Sequence, residues 1–220
     1  FKKRYKSLTE YIAFQWQLLK ENVMPAIDRT YTVLQTIPLD LVPQDYKEKI
    51  RTGRTKLGEL RQLFAKTDEL LPNVLVMLGE REPKTYAILL QNSMAMRATG
   101  GFIGSIALVK VNDGWIEKME FRDVYDFDGQ VFEPIPAPAG IDTISKNFRL
   151  RDANYWPDFP TSARQVAWFL DKQKGPGVDG VIAINDTVIK DILAILGPLP
   201  LPGTDKNVSS DSFLPTISYM

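Results

Sequence analysis

Arg97-Ala98-Thr99-Gly100-Gly101-Phe102-Ile103-Gly104-Ser105 lies between two apolar runs, Tyr86-Ala87-Ile88-Leu89-Leu90 before it and Ile106-Ala107-Leu108-Val109 after it. Flanked in this way it reads as a connection between two strands. Paired glycines there permit positive φ and let a ligand or another stretch of backbone come close. The arginine beside them offers a planar fork that matches phosphate or carboxylate. The same residues also read as a bulge or hairpin whose arginine pairs with a nearby aspartate, since glycine in strand-like sequence often marks only a bulge.

Working outward, Tyr86 to Gln91 predicts a buried strand and Phe102 to Val111 a longer one. Asn112-Asp113-Gly114 is a tight hairpin signal, and the alternation from Trp115 to Phe121 predicts the returning strand. A proline-rich polar stretch follows, from Arg122 to about Pro160. Loops of this length in a compact domain are functional or disordered; the aromatic content here points to an ordered one. A helix is expected over Thr161 to Lys172, then a short central strand over Val178 to Ile184. Asn185 or Asp186 caps a final helix, which stops at Gly197-Pro198. Strands alternating with helices predict an α/β domain, a central sheet flanked by helices.

Before Thr85 the pattern is helical. Leu8, Ile12, Leu19, Val23, Ile27, Tyr31 and Leu34 form one stripe, and Tyr46, Ile50, Leu57, Leu60, Phe64 and Leu71 a second. Pro25 should split the first helix, and the second stripe is expected to close with a short helix ending near Gly79. The expectation is a helical hairpin or stalk over 1–80 and an α/β domain over 81–220, the latter truncated at its C-terminus.

The chain has 220 residues, a formal net charge of +0, and neither histidine nor cysteine. A neutral protein has no global field to draw it to nucleic acid, so no nucleic-acid partner is expected. The missing residue types exclude Ser-His-Asp and Cys-His nucleophiles, thiol redox chemistry and the usual zinc sites from this stretch of chain. Chemistry here is left to carboxylates, lysine, arginine, tyrosine, hydroxyls and oxygen-ligated magnesium. No apolar run is long enough to span a bilayer. The cluster Lys2-Lys3-Arg4-Lys6 reads either as a contact with anionic lipid or as a solvated helix end.

Three polar constellations stand out: Arg97 with Gly100 and Gly101; Arg122-Asp123 followed by Asp126 and Asp128; and Arg149, Arg151-Asp152, Asn154 and Asp158 in the long loop. Arginines converging with carboxylates suit a pyrophosphate with a divalent cation. Arginine binds phosphate bidentately, aspartates hold magnesium, and one carboxylate can act as general base. Structural ion pairs explain the same residues equally simply. Trp156-Pro157-Asp158-Phe159-Pro160 reads as a rigid aromatic segment, either a plug over the core or a wall for a sugar or lipid chain.

These motifs carry a resemblance. Asn92 with Arg97 to Gly104, Asp123 to Gly129, Leu150 to Ala163 and Val178 to Ile184 resemble, in order and over about residues 83–203, the domain-of-unknown-function 4012 family. Its members look like envelope proteins, which implies a membrane anchor upstream of Phe1 and a place on the extracytoplasmic face. More distantly the order of elements is similar to the LytR-CpsA-Psr family, which moves glycopolymers from a polyprenyl-pyrophosphate carrier to the cell wall. That similarity implies phosphate-facing Arg97 and Arg122 and a catalytic Asp123 with Arg122. It implies magnesium (Mg2+) on Asp123, Asp126 and Asp152, and ligand contacts from Gly100, Gly101, Arg149, Arg151 and Asn154. The expected partner is a polyprenyl-phosphate-linked glycan or another phosphorylated envelope ligand, with magnesium-dependent phosphotransfer as the enzymatic form of the reading. The alternatives are a non-catalytic envelope module of the same fold and an anion-binding or assembly domain unrelated to cell-wall transfer. Thr99 stands where the transferases carry an aspartate, and their arginine-rich helix would fall beyond Met220. The phosphate reading requires Arg97, Arg122 and Arg151 to converge beside Asp123.

Overall fold

A computed structural model describes residues 7–128, 134–143, 146–172 and 177–218. The Lys2-Lys3-Arg4-Lys6 cluster lies outside them. The chain divides into two compact units, Phe1–Lys84 with Val111–Trp115, and Thr85–Lys110 with Ile116–Met220.

The first unit is a helical hairpin. α1 (Leu8–Asn22) starts at Ser7, whose Oγ accepts the Glu10 N–H at 3.0 Å, a standard N-cap. The helix breaks at Val23, and α2 (Met24–Thr36) begins with Pro25 in its first turn, where the missing N–H has no helical partner to lose. α3 (Gln44–Met77) runs back antiparallel to both. Trp16 stacks on Phe64 at 5.2 Å, Lys20 pairs with Asp68 at 2.8 Å, and Arg54 reaches the carbonyls of Leu34 and Ile37 at the C-terminal end of α2. The expected separate closing helix is absent: α3 is continuous through Pro72 to Met77. Gly79 follows with φ 80°, and a Cβ there would lie 2.7 Å from the Val111 carbonyl oxygen. The turn Asp113-Gly114 has positive φ at both residues (49° and 78°), as a type I′ turn requires. Asp113 N–H donates to Gly79 O, Gly114 N–H to Leu78 O, and Leu8 N–H to Asp113 O, so the turn sits between the start of α1 and the end of α3.

The second unit is mixed α/β, with flanking helices and a four-stranded sheet of order β3-β2-β1-β4. The strands are β1 (Lys84–Asn92), β2 (Phe102–Asn112), β3 (Trp115–Asp123) and β4 (Gly180–Asn185). β1 and β4 are parallel and in register from Tyr86↔Gly180 to Gln91↔Asn185. The polar stretch after β3 is ordered where described. It forms α4 (Val124–Asp128) and a 3-10 turn at Leu150–Asp152, and it buries Phe148 and Leu150. With Val166, Phe169 and Leu170 of α5 (Phe159–Lys172) these residues cover Ala87 and Leu89 of β1 and Ile106 and Leu108 of β2. α5 starts before the expected Thr161, because Asp158 caps it by accepting the Thr161 N–H at 2.9 Å and Pro160 fits its first turn. Trp156 packs edge-on against Phe148 and so joins the core, while Pro157, Asp158 and Pro160 of the same segment are exposed. α6 (Asp186–Leu196), a two-stranded ribbon (β5 Leu199–Pro200, β6 Asn207–Val208) and α7 (Phe213–Ser218) complete the unit.

Gly79→Ala should cost about 1–3 kcal/mol, since it combines a left-handed backbone with a clash against backbone that cannot swing away. Urea unfolding measures this, and an unchanged midpoint would contradict the close approach of Gly79 to Val111.

Candidate functional site

The parallel pairing of β1 with β4 sets the C-terminal ends of the two strands side by side, where open α/β sheets gather their ligand loops. The loop leaving β1 is tied down at several points. Gln91, buried in the strand, donates from Nε2 to Thr99 Oγ1 at 3.0 Å. Ser93 N–H donates to Asp186 Oδ2 at 3.1 Å, at the first turn of α6. Phe102 N–H closes the loop on Ala95 O at 2.9 Å. The glycines have separate reasons. Gly100 has φ 118°, and a Cβ there would meet Gln91 Oε1 at 3.3 Å; a Cβ on Gly101 would lie 2.4 Å from Asn92 O. The second is a backbone-on-backbone contact that only hydrogen permits.

Asn154, fully buried, donates from Nδ2 to Gly101 O at 2.7 Å. This bond fastens the 3-10 turn to the glycine loop. Asp152 and Arg151 are on that turn. Asp128, at the end of α4, accepts the Leu150 N–H at 3.0 Å, and its other oxygen lies 3.2 Å from Arg151 Nη1. Asp152 is 3.9 Å from Arg151 Nε, a distance for charge attraction but not for a hydrogen bond. Both carboxyls are pushed above the ordinary aspartate range, first by burial. Arg151 pulls each of them back, and Arg97 also acts on Asp152. The charges of Arg97 and Arg151 thus both act on Asp152, with no ion pair between Arg97 and Asp152 among the described contacts. Arg97 is exposed, lies 5.3 Å from the Phe102 ring and donates to Met96 O; Arg151 lies over Tyr125.

The expected convergence of Arg97, Arg122 and Arg151 beside Asp123 is not what the structure has: Arg97 and Arg151 act on Asp152, and the remaining expected residues are engaged elsewhere. Arg122 is held by Glu120 of its own strand, with Nε 2.8 Å from Oε1, and its guanidinium lies over Phe127. Asp123 accepts the Tyr125 N–H at 2.8 Å and so opens α4. Asp126 is exposed on α4. Arg149 precedes the 3-10 turn and gives its carbonyl to Asp152 N–H at 3.0 Å. No group of three or more acidic side chains suited to a metal ion gathers among the described residues. Asp123, Asp126 and Asp152 accordingly do not form one magnesium donor set. The carboxyls that do approach each other, Asp128 and Asp152, have the Arg151 guanidinium against both, which is a poor cation site.

Gln91 and Asp186 were not expected at the site, and Asp128, expected beside Arg122-Asp123, is instead paired with Arg151. Gln91 has a local signal, a lone amide ending an apolar strand. The partners of Asp186 and Asp128, namely Ser93, Leu150 and Arg151, have no such signal, because they are distant in sequence. Asn154 Oδ1 and Asp186 Oδ1 are buried without a hydrogen-bond partner, and each such atom carries a desolvation cost. Beside the loop, an apolar cleft of about 450 Å³ is lined by Thr99, Pro157, Phe159, Val181, Ile182 and Ala183.

The family model for proteins of unknown function DUF4012 matches residues 81–219. The chain belongs to the DUF4012 family. No curated protein and no solved structure matches it. The glycine loop, the 3-10 turn and the β1–β4 junction all fall inside the matched region.

A raised native carboxyl pKa means that the folded chain binds more protons than the unfolded chain above pH 3.8. Its contribution to stability therefore falls as pH rises from 3.8 through the native value. Asp128→Asn removes one such group. Urea midpoints measured from pH 4 to 6 should decline less steeply with pH in Asp128→Asn than in the wild type; parallel profiles would contradict the burial of this carboxyl.

Proposed function

We propose that this DUF4012 domain binds a phosphorylated, polyprenyl-linked glycan at the extracytoplasmic face of the envelope, with Arg97 and Arg151 receiving the phosphate. The observation that carries the reading is the pair of guanidiniums acting on Asp152, one exposed and one half-buried beside it. An incoming phosphate competes with Asp152 for both, and two arginines can engage it bidentately. The apolar cleft starting at Thr99 supports an isoprenoid chain leaving the same loop. Membrane attachment through an upstream anchor is part of this proposal on the family resemblance alone; no helix among the described residues is long and apolar enough to cross a bilayer.

A LytR-CpsA-Psr-like architecture and phosphotransfer belong to the stronger form of this proposal. The carboxylates that magnesium would need are not gathered among the described residues. The non-catalytic module is favoured by two observations: Asp123 is used as a helix cap, and Thr99 makes a structural hydrogen bond to Gln91.

The test is a thermal-shift titration of the intact chain with polyprenyl phosphate, with and without magnesium. A ligand that binds only the folded state at a hundredfold excess over its Kd adds about 2.7 kcal/mol. Arg97→Ala should abolish the shift, while Arg122→Ala should retain it. No shift in the wild type would end the phosphate reading, and a shift that needs magnesium would favour the transferase over the plain binding module.

A further inference from the structure

Two side-chain amides at the C-terminal ends of β1 and β4 are bonded at one end only. Gln91 and Asn185 are partners in the β1–β4 register, so their side chains leave the sheet on the same face. Gln91 is buried, and its Nε2 donates to Thr99 Oγ1 at 3.0 Å. Asn185 stands at the N-cap of α6 without capping it; its Oδ1 accepts the Thr187 hydroxyl at 2.7 Å. These bonds fix what each amide has left over: an acceptor, Gln91 Oε1, and a donor, Asn185 Nδ2. Neither atom makes a hydrogen bond among the described residues. Both border the space beside Gly100. A Cβ there would lie 3.3 Å from Gln91 Oε1 and 3.8 Å from Asn185 Nδ2, and apart from its own chain neighbours it would meet nothing else within 4 Å. The glycine thus leaves a gap between a fixed acceptor and a fixed donor. Val181 and Ala183, on the same face of β4 as Asn185, line the neighbouring apolar cleft together with Thr99.

We propose that this pair reads the acetamido group of an N-acetylated amino sugar. The inference rests on the phosphorylated-glycan reading above and names the sugar class within it. A secondary amide carries a donor and an acceptor on two different atoms, with an apolar methyl group next to them. The acetamido N–H donates to Gln91 Oε1, its carbonyl accepts from Asn185 Nδ2, and its methyl group faces the apolar cleft. A sugar with a hydroxyl in place of the acetamido group cannot span both partners and leaves one of the two amides unpaired, which lowers its affinity. Charge plays no part in this recognition, so the subsite is independent of Arg97 and Arg151.

The test uses phosphate-free probes, so that it does not share its outcome with the phosphate titration. Methyl N-acetylglucosaminide, titrated into the intact chain in the millimolar range, should shift the Gly100 N–H and the Asn185 side-chain amide in proton–nitrogen correlation spectra. Methyl glucoside should shift neither. Asn185→Ala, at a half-buried position with one side-chain hydrogen bond to lose, should stay folded and weaken the acetamido sugar about tenfold, read at Gly100. Gln91→Met, which keeps the length of the side chain and removes its acceptor, should do the same; melting curves check that both variants fold. Equal responses to the two sugars, no response to either, or an affinity untouched by Asn185→Ala overturns the subsite. A stronger response to N-acetylalanine methylamide than to the acetamido sugar overturns it too, and assigns the pair to polypeptide. An acetamido response without any response to polyprenyl phosphate supports the subsite and ends the phosphate reading; the reverse pattern overturns the subsite alone.

Discussion

The contact between Gly101 and the backbone of Asn92 is the constraint on which the site depends. A Cβ at this position would sit 2.4 Å from a carbonyl oxygen, so the return of the chain from β1 to β2 can be this tight only with glycine. The Gly101 carbonyl then accepts the buried Asn154 amide. Arg97 lies four residues before that bond on one segment, and Asp152 two residues before it on the other. Their electrostatic encounter follows from backbone geometry and needs no direct bond between their side chains. Rossmann-type loops use glycine to let a phosphate approach backbone; here one of the two glycines serves a contact between two stretches of the protein's own backbone.

Around Arg151 the balance of forces is close. Two carboxyls face one guanidinium, and burial outweighs that attraction for both. Such a group is costly to bury and costly to break: removing one partner leaves charge uncompensated in low dielectric. A purely structural pair would be better served by one acid per arginine, as on the hairpin, where Lys20–Asp68 and Arg61–Asp28 pair one to one at the surface. The imbalance is partly met by Arg97 from the glycine loop, which is the exposed member and the one free to meet solute.

What was legible in the sequence was local. The helical stripes, the strands and the Asp113-Gly114 turn are each dictated by neighbours within a few residues, and each forms as its periodicity demands. The short closing helix expected before Gly79 is instead the end of α3, which runs through Pro72 although a proline inside a helix usually ends or kinks it. Here α3 continues on both sides of it, with Leu75 buried one turn beyond Leu71. The fate of Arg122 was readable in principle, since Glu120 lies two residues away on the same face of a strand. The rest was not readable. The parallel β1–β4 register joins segments far apart in the chain, and only that pairing sets Gln91 beside Asn185 and lets Asp186 meet Ser93. No spacing in the sequence encodes such a meeting.

The absence of histidine gives the buried carboxyls a wider consequence. Most proteins take up protons in mildly acidic surroundings on imidazole, and this chain has none. Among its described groups, Asp128 and Asp152 are the carboxyls displaced upward from their usual range. Protonation of either acid removes a negative charge from beside Arg151 and leaves the arginine charge in excess there.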